Sequence, residues 1–190
     1  MNIKTLIGAS ALLTLTAFAL SLYIFKAGQA NAMTFSYMGE ANRTWFFLYS
    51  LAYILAFCLN IIIFTIKSRI TSRRLLALMY ILLGLTFVFS LLQSVIIAPD
   101  FHALHIFLAG TFTAFGCLAL ITAIAAVLLY NKCKQGYYYM AMIVLTGGMN
   151  FYAISAYGWL IASYQWIFAV TVLATSSALA HTSDPAKPEA

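Results

Sequence analysis

Formal charges in this chain stand far apart, and the gaps between them match the thickness of a lipid bilayer. Lys4 and Lys26 bracket 21 uncharged residues, Arg43 and Lys67 bracket 23, Arg74 and Asp100 bracket 25, and Asp100 and Lys132 bracket 31. A helix rises about 1.5 Å per residue, so about 20 apolar residues cross a hydrocarbon core of roughly 30 Å. Gln135 to Ser183 adds 49 residues without a formal charge, which suits two helices joined by a hairpin at Tyr157, Gly158 and Trp159. The pattern predicts an all-α, polytopic transmembrane bundle of six helices, near 5–25, 45–66, 75–97, 101–130, 137–156 and 159–180. These form one domain over 1–180, and 181–190, with Pro185 and Pro188, reads as a short disordered tail. Composition agrees. Hydrophobic residues make up 64% and charged residues 7%, against about 25% charged in soluble domains, which excludes a water-soluble core of this length.

The basic residues set the expected orientation, because Lys and Arg accumulate in short cytoplasmic loops. The second loop carries Lys67, Arg69, Arg73 and Arg74, a basic patch at the membrane surface suited to anionic lipid. Placing it inside puts both termini inside, with eight basic residues on the cytoplasmic face and only Lys26 and Arg43 outside. The inner acids are then Asp184 and Glu189 and the outer ones Glu40 and Asp100, so the whole formal charge of +6 is cytoplasmic. That excess follows from insertion and does not call for a nucleic acid. The layout fits a multi-pass protein of a bacterial inner (cytoplasmic) membrane. Ala30-Asn31-Ala32 resembles a signal-peptidase site, but an apolar stretch of 21 residues exceeds the usual signal core of about 7–15, so an uncleaved anchor is expected.

Several chemistries lack their residues. Cys58 and Cys117 fall inside helices and Cys133 at the cytoplasmic edge, which leaves no disulfide pair in an oxidising compartment. Cys133 lies between two lysines, where a palmitoylated cysteine is sometimes found. Asn42-Arg43-Thr44 matches the glycosylation sequon but abuts the second helix. No metalloprotease, nucleophile-elbow, phosphate-loop or C-x-x-C pattern occurs. No acid, Lys or Arg stands in a helix centre, unlike the buried carboxylates of proton and cation pumps. No cofactor or metal is expected.

What remains is a set of neutral polar groups, concentrated in the external half. Thr86, Ser90, Gln93 and Ser94 share a face of the third helix, and His102 and His105 open the fourth. The fifth reaches Asn150 near its outer end, and Gln165 lies near the start of the sixth. His105, Ala109, Phe112 and Gly116 form one stripe, and Gly158, Ala162, Gln165 and Ala169 begin another. Their small residues allow close helix approach, as do Gly147 and Gly148 on the fifth, where a kink is also conceivable. The expectation is a polar cluster of Gln93, His105, Asn150 and Gln165, with Glu40 and Asp100 in loops able to fold over it. Interhelical hydrogen bonding alone accounts for such a cluster. Binding of a lipid headgroup or small polar ligand is the sharper account, and catalysis with His105 as general base is a third. The lack of a nucleophile or acid at diagnostic spacing favours a non-enzymatic role.

Six helices, a first loop with Ser36-Tyr37-Met38-Gly39-Glu40, the basic second loop, Gln93 followed by His105, Ala109 and Gly116, and Gln165-Trp166 together resemble the DRAM/FRAG/Sfk membrane-protein family. Related bacterial six-helix families are similar in layout. Gln165 stands where that family carries an acid before the tryptophan, and the first loop lacks its Pro-Glu segment. The resemblance implies lipid-related work, such as remodelling of GPI lipids, distribution of phospholipid between leaflets or, in animal members, modulation of autophagy. Membrane lipids are thus the expected partners, with another membrane protein or a second copy of the chain as the alternative for a non-catalytic assembly subunit.

Overall fold

All regular structure among the described residues is α-helical. The computed structural model describes residues 2–28, 43–68, 70–96, 102–130, 134–157 and 162–182. The helices are α1 (Ile3–Gly28), α2 (Arg43–Lys67), α3 (Arg73–Val95), α4 (His102–Tyr130), α5 (Gln135–Tyr157) and α6 (Ala162–Thr182). Their lengths of 21 to 29 residues correspond to about 31–44 Å. Every described Lys and Arg sits in a terminal turn or just beyond a helix end, so the shafts carry no formal charge. Helices α1 to α5 are long and apolar enough to cross a membrane, and the chain is a helical membrane protein. Helix α6 is more polar, with Ser163, Tyr164 and Gln165 in its first turn and Thr175, Ser176 and Ser177 farther on. It continues to Thr182, two residues into the stretch read as tail.

Each helix packs antiparallel on the next in sequence, and α6 closes the ring against α1. Side-chain pairs fix the register. Tyr23 near the end of α1 meets Trp45 at the start of α2, with ring centroids 5.4 Å apart. Thr65 Oγ1 lies 2.9 Å from Tyr80 Oη between the end of α2 and the start of α3. The start of α1 and the end of α6 consequently lie on one end of the bundle, termed here the near end, and the end of α3 and the start of α4 lie on the far end. Gly136 sits at the near end where α5 leaves α4, and a Cβ there would come within 2.7 Å of Leu128. Only a residue without a side chain lets the two helices meet so closely.

Helix α2 is the hub. It packs against α1, α3 and α6, and more lightly against α4, and Ile54, Ala56, Phe57, Ile61, Ile63 and Phe64 are almost completely buried. Lipid tails are as apolar as these side chains, so close packing and interhelical hydrogen bonds, rather than hydrophobic transfer, must hold the bundle together. One such set lies toward the near end. Asn60 is 0% exposed. Its Oδ1 accepts from Ser10 of α1, while its Nδ2 donates to Ser176 of α6 at 3.2 Å and to Thr14 at 3.5 Å. Ser10 lies seven residues from the start of α1, Asn60 seven from the end of α2 and Ser176 six from the end of α6, so one depth in the bundle joins three helices. Nearer the surface, Lys67 Nζ donates to the carbonyls of Ala180 and His181 at 3.2 and 3.4 Å, satisfying the exposed C-terminal turn of α6. Ser72 caps α3, its hydroxyl accepting from Leu75 N at 3.3 Å.

Candidate functional site

The far half of α3 and α4 contains buried polar groups that packing does not use up. Thr86, Ser90 and Gln93 recur at intervals of four and three on α3 and are 0%, 2% and 6% exposed. Facing them is the α4 stripe of His105, Ala109, Phe112 and Gly116. Gly116 fixes the register, because a Cβ there would stand 3.3 Å from Thr86 Cγ2. The antiparallel match then sets Ser90 level with Phe112 and Gln93 level with Ala109. Helix α2 closes the third side with Phe46, Tyr49 and Tyr53, all buried, and the Tyr53 ring meets Phe112 edge to face at 6.5 Å. Three helices thus enclose a seam that is aromatic on one wall and amide-, hydroxyl- and imidazole-bearing on the other two.

His105 is the pivotal group. Helix α3 stops at Val95, and Ile96 turns extended with φ −87° and ψ 91°, three residues before Pro99 in the sequence. The turn brings the Ile96 carbonyl to the first turns of α4, where it lies 2.7 Å from His105 Nδ1. A carbonyl oxygen only accepts, so the hydrogen of this bond is on Nδ1. The residue is 3% exposed, and the other ring nitrogen, Nε2, is buried with no hydrogen-bond partner among the described residues. Buried polar atoms are almost always paired, and this lone acceptor is held in place by the bond on the opposite side of the ring. One turn along α3 from Ile96 stands Gln93, a buried residue, with Ser90 one turn farther on. Other hydroxyls in this region are satisfied within their own helices, Thr86 on Leu82 O at 2.6 Å and Ser94 on Leu91 O at 2.8 Å.

The four-residue cluster expected from sequence divides between two places. Gln93 and His105 belong to the seam, where α3 packs on α2 and α4. Asn150 belongs to the α5–α6 pair, its Nδ2 donating to Thr146 O at 3.0 Å and across to Tyr164 O at 3.2 Å. Gln165 is half-buried on α6 and engaged. The division arises because α3 has no substantial contact with α5 or α6. Of the packing residues, Gly116 meets Thr86, a Cβ at Gly147 would stand 3.7 Å from the Phe168 ring, and Ala169 packs on the core. Ala109 is half-buried on the seam stripe. Gly148 is a correction: it is exposed, with nothing within 4 Å of where a Cβ would be, because it lies on the far side of α5 from α6. Helix α5 runs unbroken through both glycines. In the basic loop Arg73 and Arg74 are exposed, whereas Lys67 turns to the end of α6. Glu40, Asp100, Arg69, Cys133, Asn42, Gly158, Trp159 and the tail from 183 lie outside the described residues, as do the side chains of His102 and Ala162.

Asn60 and its partners escaped the sequence reading, which looked for polar groups in the external half. The available signal was the matched depth of Ser10, Asn60 and Ser176 from their helix ends. Trp166 is a second such group, its Nε1 donating to Ser21 Oγ at 3.1 Å and its ring stacked on Phe25 at 5.4 Å, which locks α6 to α1. Among the described residues no three His, Cys, Asp or Glu come together to hold a metal. No family model, curated protein or solved structure matches the chain.

Proposed function

We propose that this membrane protein receives the polar group of a lipid or small ligand in the seam between α2, α3 and α4, and that the far end of the bundle faces the outside of the cell. The observation that carries this reading is the buried Nε2 of His105, which has no partner among the described residues while Nδ1 is bonded to the Ile96 carbonyl. A bundle stabilised only by its own hydrogen bonds would pair this nitrogen, as it pairs the Asn60 and Asn150 amides. The aromatic wall of Tyr49, Tyr53 and Phe112 suits the apolar part of an amphiphile. The orientation rests on the basic near end, with Lys67, Arg73 and Arg74. Lipid-related work also accords with the resemblance to the DRAM/FRAG/Sfk family. Native mass spectrometry of detergent-purified protein tests the reading. A discrete lipid or small molecule should accompany the wild type, and paired substitution of Gln93→Leu and His105→Phe should release it. Retention of bulk lipid alone, or equal retention by the variant, sinks the proposal.

A further inference from the structure

The seam also constrains the chemistry of its occupant. We infer that it takes a neutral amphiphile with a free hydroxyl, such as a diacylglycerol or long-chain alcohol, whose O–H donates to His105 Nε2, and that it does not take a phosphate headgroup. The inference rests on the ligand reading above and specifies it.

The argument follows the hydrogens. Nδ1 carries the proton shared with the Ile96 carbonyl, so Nε2 of the neutral ring presents a lone pair and accepts. A buried acceptor calls for a donor, and a deprotonated phosphate offers none. Phosphate binding draws on Arg, Lys or clustered N–H donors, and the buried polar residues of the seam are Thr86, Ser90, Gln93 and His105, without a buried Lys or Arg among the described residues. Gln93 and Ser90 complete the match. The amide offers both donor and acceptor to an ester carbonyl or second hydroxyl, and Ser90 lies one turn deeper at the level of Phe112. The ligand's chains then run toward the Tyr53–Phe112 wall.

The test uses the full chain in lipid nanodiscs and two photoactivatable probes with identical acyl chains, a diacylglycerol and the corresponding phosphatidate. Expected is labelling of the far-half α3 and α4 peptides by the diacylglycerol probe, reduced about fivefold by His105→Phe, the effect of losing one hydrogen bond. Competition in the wild-type protein needs no variant: unlabelled diacylglycerol should displace the probe, and triacylglycerol, which lacks the hydroxyl, should not. Preferential labelling by the phosphatidate, or equal competition by triacylglycerol, overturns the donor–acceptor inference while leaving a ligand in the seam. Absence of seam labelling by either probe overturns the ligand reading itself.

Discussion

Replacing Asn60 by Leu keeps the number and branching of side-chain heavy atoms and removes the hydrogen bonds that tie α1, α2 and α6 together. Three bonds are lost, to Ser10, Ser176 and Thr14, the last long at 3.5 Å. Interhelical bonds in membrane proteins average about 0.6 kcal/mol, so three amount to about 2 kcal/mol. The partners are not left stranded. Ser176 keeps its own bond to Leu173 O at 2.9 Å, and Ser10 is free to turn to a carbonyl of its own helix. With the long bond discounted, the expected loss is about 1–1.5 kcal/mol, close to a tenfold change in the unfolding constant. Equilibrium unfolding in mixed micelles, followed by tryptophan fluorescence, measures it. A double-mutant cycle with Ser10→Ala isolates the direct bond, with an expected coupling of about 0.6 kcal/mol. Thr171→Val is the control, since Thr171 bonds to Ile167 O of its own helix at 2.8 Å and to no other helix among the described residues. An unchanged stability for Asn60→Leu, or strictly additive Ser10 and Asn60 effects, would refute the reasoning.

Three further outcomes follow from the packing. Lys67→Met removes two bonds to the last carbonyls of α6 and should cost about 0.5–1 kcal/mol in the same unfolding assay, with faster hydrogen exchange confined to the near end of α6. Gly116→Ala drives a methyl to 3.3 Å from Thr86 Cγ2, which the Thr86–Leu82 bond holds in place, and should cost about 1 kcal/mol. Gly110→Ala on the same helix meets nothing and should leave stability unchanged or slightly raised. Trp166→Phe keeps a ring against Phe25 but loses the bond to Ser21, so a loss of about 0.6 kcal/mol is expected, with Trp166→Ala costing several times as much through lost packing.

Helix placement was legible because bilayer thickness and charge cost act on sequence directly. The bracketing charges Lys4, Lys26, Arg43, Lys67 and Arg74 all lie at helix ends, and the expected limits 45–66 and 101–130 fall within two residues of α2 and α4. Helix α3 ends two residues earlier than expected because Ile96 turns extended and its carbonyl meets His105. Seam membership was half legible. Helical spacing put Thr86, Ser90 and Gln93 on one face and His105 on a stripe with Gly116, but which stripes face each other is set by how the helices arrange themselves, information that periodicity does not hold. Asn150 therefore joined the wrong group, although its bond partner Tyr164 lay in a helix already suspected of facing it. Asn60 was invisible to a search for function in the external half, because a single amide in an apolar run gains meaning only from partners 46 to 116 residues away.

The most direct test of the central claim is nitrogen-15 NMR of His105 in detergent-solubilised protein with His102 and His181 replaced. The seam predicts a protonated Nδ1 and a bare Nε2 whose resonance moves when a long-chain alcohol is added and stays still with an alkane of equal length. A protonated Nε2 in the unliganded protein, or a resonance indifferent to the alcohol, would contradict the account.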